Sequence, residues 1–157
     1  MKLTVETWQN NSILRAKSTP VKQTELHLYR PLSEAMLTYI KNPKNKGIGL
    51  AAPQVGINKR IIVVGLPNNR DEDRYSIILM INPSITRKSD EKSVDEEWCL
   101  SLPGLMGNVE RSREIEVEWL DIKGKKMKKT ISGYGARVVQ HEVDHLDGVM
   151  ICDKFLK

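Results

Sequence analysis

Long apolar runs are missing from this chain. A helix needs about 20 consecutive apolar residues to cross a bilayer, so no membrane-spanning segment is predicted. The opening stretch, MKLTVETWQNNSILRAKS, holds no apolar segment of signal-peptide type. That predicts an intracellular, cytoplasmic protein with no membrane association. Cysteine is scarce, with only Cys99 and Cys152. Two cysteines make no disulfide framework and suit a reducing compartment, where a lone thiol is free to be a ligand or a nucleophile. Aromatic residues make up 5%, so a platform for stacking nucleic-acid bases is not indicated. Repeats, low-complexity segments and linkers are also absent from the sequence, which predicts a single domain over residues 1–157.

What is present is a globular balance of 39% hydrophobic and 29% charged residues with a net charge of +5. Much of the positive charge lies in DIKGKKMKKT, where Lys123, Lys125, Lys126, Lys128 and Lys129 crowd around Gly124. A solvated hairpin tip is the first expectation for such a run. Attraction to a polyanion such as RNA is the second. Residues 24–42 carry Leu28, Leu32, Met36, Leu37 and Ile40 near helical spacing and predict an amphipathic helix. KRIIVVGL predicts a buried strand ending at Pro67 and Asn68, and YSIILMINPSIT a second one interrupted at Asn82-Pro83. EIEVEWLDIKGKKMKKTIS alternates polar and apolar residues about a glycine turn, the pattern of a β-hairpin. A second helix is predicted from about Ala136 to Leu146. Helix, strands and a late helix together predict an α+β fold, with mostly antiparallel strands around one central helix and an amphipathic helix near the N-terminus.

The chemistry concentrates in QHEVDHLDGVMI, residues 140–151. Residues i and i+4 share a helix face, so His141 and His145 can bind one metal ion. Glu142 lies beside the first of them, where it can act as a general base. Only three histidines occur in the chain, and two at this spacing argue against chance. Two imidazoles make only part of a catalytic site, which usually has three protein ligands. The extended motif H-E-x-x-H-x-x-G-x-x-H fits at Gly148 but meets Ile151 where it needs histidine. No glutamate follows His145. The third ligand is therefore expected upstream, and Cys99 in EEWCLSLPGL offers a thiolate suited to a borderline-soft divalent ion. Cys152 competes for this role, but its setting, VMICDKFL, reads as apolar packing.

Three segments now fall into one pattern. GIGLAAPQ (Gly47 to Gln54), EEWCLS (Glu96 to Ser101) and QHEVDH (Gln140 to His145) resemble, in order and separation, the three signature motifs of peptide deformylases. The resemblance runs from about Ser12 through INPSI to the end of the chain. It implies removal of the formyl group from N-formyl-methionine at the start of nascent peptides. It implies that Cys99, His141 and His145 bind the metal, and that Glu142 is the general acid/base. Gln54 and the backbone N–H of Leu100 would face the developing oxyanion, and the backbone of Gly47, Ile48 and Gly49 would pair with the substrate. Two imidazoles and a thiolate suit zinc; the resemblance instead implies Fe(II) as the natural ion, with nickel, cobalt or zinc able to substitute. Asp144 is expected to be a structural partner of Arg111 or Arg113.

The chain departs from that pattern at two positions. Trp98 stands before the cysteine, where the family has glycine, and is expected to narrow the cleft or pack against substrate. Arg137 stands four residues before His141, where an apolar residue lining the methionine pocket is expected. It can approach substrate and favour acidic side chains, but an outward, snorkelling side chain is the preferred expectation. The chain stops at Lys157 where many relatives continue into a C-terminal helix used for ribosome contact; truncated members occur in phage and organelle contexts, and a weak ribosome contact would then fall to the lysine hairpin. A monomer is expected. The alternatives are a metallopeptidase of the H-E-x-x-H type, with another third ligand, and a non-catalytic relative binding nascent chains or RNA, which would lack Glu142 and Gln54.

Overall fold

The computed structural model describes the backbone of residues 1–68 and 71–157, and the side chains of residues 1–67 and 75–157. The fold is mixed α/β, with mostly antiparallel strands and few helices. Five strands form one sheet in the order β1 (Gly49–Ala51), β2 (Ile61–Asn68), β3 (Asp71–Lys88), β6 (Glu114–Leu120) and β7 (Lys126–Ser132), all neighbours antiparallel. Strands β4 (Lys92–Trp98) and β5 (Met106–Ser112) form a separate antiparallel pair. The helices are α1 (Ser12–Arg15), α2 (Leu26–Lys41) and α3 (Gly133–Leu146).

Strand β2 explains the layering. Successive strand side chains point to opposite faces. Ile62, Val64 and Leu66 face one side and pack with Ala136, Val139, Val143 and Leu146 of α3. Ile61 and Val63 face the other side and pack with Leu32, Met36 and Ile40 of α2. A strand covered on both faces reads as a continuous apolar run, which is why IIVV does not alternate. Each fully buried Ile or Val here contributes about 2 kcal/mol relative to exposure.

Two sequence expectations need correcting. The break foreseen at Asn82-Pro83 is a bulge inside one strand. Asn82 takes φ 51°, the pairing register shifts between Ile81 and Ser84, and β3 continues to Lys88. The Asn82 amide exchanges two 2.8 Å hydrogen bonds with the backbone of Val21, so its side chain ties down the N-terminal segment. Helix α3 begins at Gly133, three residues before the expected start. Gly135 lies in its first turn because a Cβ there would come within 3.1 Å of Ile131 and 3.2 Å of Leu66.

The β4–β5 pair was not foreseen as strands. Its inner face meets α3 through polar contacts, and the C-terminal segment covers β5, where Leu156 donates to Asn108 O and the Phe155 ring lies under Gly107. Cys99, Leu102, Val109, Met150 and Ile151 form a small apolar cluster there with Leu14. Helix α3 is thus held between the large sheet and the β4–β5 pair.

Candidate metal centre and cleft

Cys99, His141 and His145 come together although forty-odd residues separate the first from the second. Their ligand atoms lie within 4.8 Å of one another. Cys99 follows the last residue of β4, and the two histidines sit one turn apart on α3. The Cys99 sulfur is 3.3 Å from His145 Nε2. Cys99 is 4% exposed and His145 1%, so the group is shielded from bulk water. Cys152 lies outside this group, half-buried, beside Arg15 and Asp153.

Glu97 lies in the EEWCLS segment without a role assigned to it there, yet it organises the site. Its Oε1 accepts from His141 Nδ1 at 2.9 Å and from Arg111 Nη2 at 2.9 Å. Its Oε2 accepts from Arg111 Nε at 3.0 Å and from Arg137 Nη1 at 2.6 Å. Each carboxylate oxygen therefore takes two donors. Burial works to raise the Glu97 pKa, but the donors from His141 and Arg111 outweigh it and hold the carboxylate well below its usual range. With Nδ1 committed to Glu97, the Nε2 edge of His141 is left free to face an ion, and the ring is oriented as a ligand would be. Burial lowers the His141 pKa, yet the Cys99 and Glu97 side chains beside it win and push it up to about 10. Ligation needs the neutral ring, so metal uptake would expel that proton. His145 is shifted the other way, well below its ordinary value, by burial and by the positive charge of His141.

Glu142 is 4% exposed, and burial pushes its pKa up to about 7. Its Oε2 has no hydrogen-bond partner among the described residues. A buried carboxyl oxygen without a partner is costly unless something else meets it there. That orphan, the Cys-His-His donor set and the fixed His141 ring together fit a divalent ion with a water beside it. Gly49 makes room for the carboxyl: a Cβ on Gly49 would lie 2.4 Å from Glu142 Oε1 and 2.8 Å from its Cγ. The glycine is needed here for the side chain of Glu142, whatever it also allows a substrate.

Gln54, 1% exposed, accepts from Ala51 N–H through Oε1 at 2.9 Å, which turns its amide nitrogen towards the site. That nitrogen donates to Ser101 Oγ at 3.1 Å and lies 3.5 Å from the Cys99 sulfur. The backbone N–H of Leu100 makes no hydrogen bond among the described residues. A cleft of about 310 Å³ opens above these groups, lined among others by Gly47, Ile48, Gly49, Trp98, Leu100 and Val138. Among the described residues strand β1 pairs only with β2, so its other edge is open along this cleft. Trp98 stands at the cleft with 46% of its surface exposed.

Arg137 contradicts the outward expectation. It lines the cleft but is only 5% exposed. Besides Glu97, its guanidinium donates to Val109 O at 2.9 Å, Ser93 O at 2.9 Å and Ser93 Oγ at 3.2 Å. A planar fork of donors that finds a carboxylate and two strand carbonyls stays inside rather than snorkelling. Asp144 accepts from Arg111 Nη1, as one of the two expected partnerships requires, and Arg113 pairs instead with Glu91. Gly148, which mimicked a longer protease motif, has a local reason: φ is +74° and a Cβ would lie 2.3 Å from Arg15 O.

Comparison with known proteins gives one answer. The family model described as polypeptide deformylase matches residues 3–157. A peptide deformylase of Finegoldia magna is 40% identical over 148 residues, covering 94% of this chain and 86% of that protein. Among solved structures, a Met-Ala-Ser-bound class I type b peptide deformylase of Acinetobacter baumannii superposes with a TM-score of 0.88 at 37% identity, covering 99% of each chain. A probable peptide deformylase of Synechococcus phage S-SSM7 does so with a TM-score of 0.79 at 43% identity, covering 98% of this chain and all of that one.

Proposed function

The chain belongs to the polypeptide deformylase family, and from that premise we propose how its own residues remove the formyl group from formyl-methionine at the start of nascent peptides. The observation that carries the reading is a Cys-His-His group beside a buried glutamate with an unpartnered oxygen, at the foot of an open strand edge.

Cys99, His141 and His145 hold one divalent ion, and α3 is the helix that carries two of the three ligands. The ion supplies Lewis acidity and makes water nucleophilic at neutral pH. Fe(II) is the ion in the cell, and zinc, nickel or cobalt can take its place; a thiolate with two imidazoles accepts all of these borderline ions.

The substrate lies as an added strand along Gly47, Ile48 and Gly49, in the manner of β-augmentation. Its methionine side chain enters the cleft between Val138 and Trp98. Glu142 accepts a proton from the attacking water at its free Oε2. A buried carboxyl raised above its ordinary range in the metal-free site can both take up a proton and give it back, which suits both halves of the reaction. As the carbonyl carbon of the formyl group becomes tetrahedral, negative charge grows on its oxygen. The Gln54 amide and the Leu100 N–H meet that charge, each worth roughly 3–4 kcal/mol by analogy with other oxyanion donors. Glu142 then returns its proton to the amine nitrogen, the C–N bond breaks, and formate and a free N-terminus result.

The catalytic unit spans residues 1–157 and acts as a monomer in the cytoplasm. Lys123 and Lys125 on the β6–β7 turn and Lys126, Lys128 and Lys129 on β7 are all exposed, and among the described residues only Lys128 is paired, with Glu118. They make a weak, salt-sensitive contact with ribosomal RNA. Formate release from formyl-Met-Ala-Ser by iron- or nickel-loaded protein tests the activity. Glu142→Ala is expected to lose on the order of 10²–10⁴ in rate. No formate from metal-filled wild type would overturn the reading.

A further inference from the structure

The cleft does not end at Trp98. Strand register puts Trp98 opposite Met106, Glu96 opposite Asn108, and Val94 opposite Glu110. These six residues share one face of the β4–β5 pair, because side chains alternate along each strand. The opposite face carries Glu97, Val109 and Arg111, all buried against α3 and the C-terminal segment. The outer face is open. Val94 is 50% exposed, Trp98 46% and Met106 56%. Isolated exposed apolar residues need no explanation, but three on one short two-stranded face form a patch.

The patch is continuous with the cleft, since Trp98 and Glu96 line the cleft and also belong to this face. From Trp98 to Val94 the strand advances about 13 Å, the length of roughly four extended residues. Its charge is acidic. Glu110 pairs with Lys92 at 3.6 Å, whereas Glu96 pairs with no basic side chain among the described residues.

We infer that the outer face of the β4–β5 pair is an exosite for the nascent peptide, taking apolar and basic side chains of roughly its fourth to sixth residues as the chain leaves the cleft. This inference rests on the deformylase reading of the cleft. Trp98 is the hinge between the two surfaces. Its ring offers a flat apolar face, Met106 extends that face with a polarisable thioether, and Glu96 attracts a basic side chain laid over the ring. Acidic residues in the same stretch of the peptide meet Glu96 and are disfavoured.

The test compares kcat/KM for formyl-Met-Ala-Ser, formyl-Met-Ala-Ser-Leu-Lys-Leu and formyl-Met-Ala-Ser-Glu-Asp-Glu. The protein is metal-loaded wild type or the Val94→Ser/Met106→Ser double variant. Both positions are exposed, so the variant keeps the fold, and the tripeptide never reaches them. In wild type the Leu-Lys-Leu peptide is expected to exceed the tripeptide on the order of tenfold, through KM, and the acidic peptide to gain nothing. In the double variant the advantage should fall below about twofold, with tripeptide turnover unchanged. Equal values for the three peptides in wild type, or an advantage that survives the double variant, would overturn the exosite. A dimer that dissociates in the double variant, without any length effect, would assign the face to a second copy and overturn it too. Failure to release formate from any peptide would instead remove the underlying activity.

Discussion

Replacing Gly49 by alanine adds one methyl group, and the structure says what that methyl meets. Gly49 has no left-handed φ, so alanine fits the backbone. The new Cβ would lie 2.4 Å from Glu142 Oε1, 2.8 Å from Cγ and 2.9 Å from Cδ, whereas ordinary contact begins at 3.4 Å. The glutamate must therefore retreat by about 1 Å at its carboxyl. It cannot swing into solvent, because it is 4% exposed on the buried face of α3. A misplacement of that size at a reacting group costs on the order of 10²-fold in rate. The expected result for Gly49→Ala is a fall of about that size in kcat on formyl-Met-Ala-Ser, with metal content and circular dichroism unchanged. Because the damage runs through one side chain, the same substitution in a Glu142→Ala background should cost almost nothing further. Activity within about threefold of wild type, or an undiminished penalty in the Glu142→Ala background, would refute the idea that Gly49 is there for Glu142.

Three further perturbations address the remaining groups. Glu97→Gln is expected to weaken metal affinity by roughly 10–100-fold in a chelator competition. It should also lower the unfolding free energy of the metal-free protein by about 3–5 kcal/mol in urea, since it strands Arg137 without a carboxylate. Arg137→Leu should destabilise by a similar mechanism while leaving the ratio of kcat/KM for formyl-Met-Ala-Ser and formyl-Met-Asp-Ser unchanged within about twofold; selective loss of the acidic peptide would mean that the guanidinium does reach substrate. Gln54→Leu keeps the side-chain volume but removes the donor, and steady-state kinetics should show kcat down by about 10²–10³.

The fold was legible where periodicity was strong. The continuous apolar run of β2, the alternating β6–β7 hairpin and the apolar spacing of α2 all came from patterns that burial enforces. The β4–β5 pair was not legible, because KSVDEEW is nearly all polar and its inner face is buried against guanidiniums rather than hydrocarbon. Glu97 was hidden for the same reason. Nothing distinguishes it from Glu96 in sequence except strand alternation, and the strand itself went unseen. Arg137 was misjudged because an arginine near a pocket reads as a ligand for substrate or as a surface residue, while its actual partner lies forty residues earlier. The metal group was the easier part, since two histidines on one helix face and a cysteine in a recognisable motif need only one tertiary contact to meet.

The central claim is that Cys99, His141 and His145 together hold the ion. X-ray absorption at the metal edge of nickel- or zinc-loaded protein measures this directly. One sulfur neighbour is expected, at about 2.3 Å for zinc, with two imidazole nitrogens at about 2.0–2.1 Å. The sulfur shell should vanish in Cys99→Ala. A spectrum without sulfur, or a sulfur shell that persists in Cys99→Ala, would contradict it.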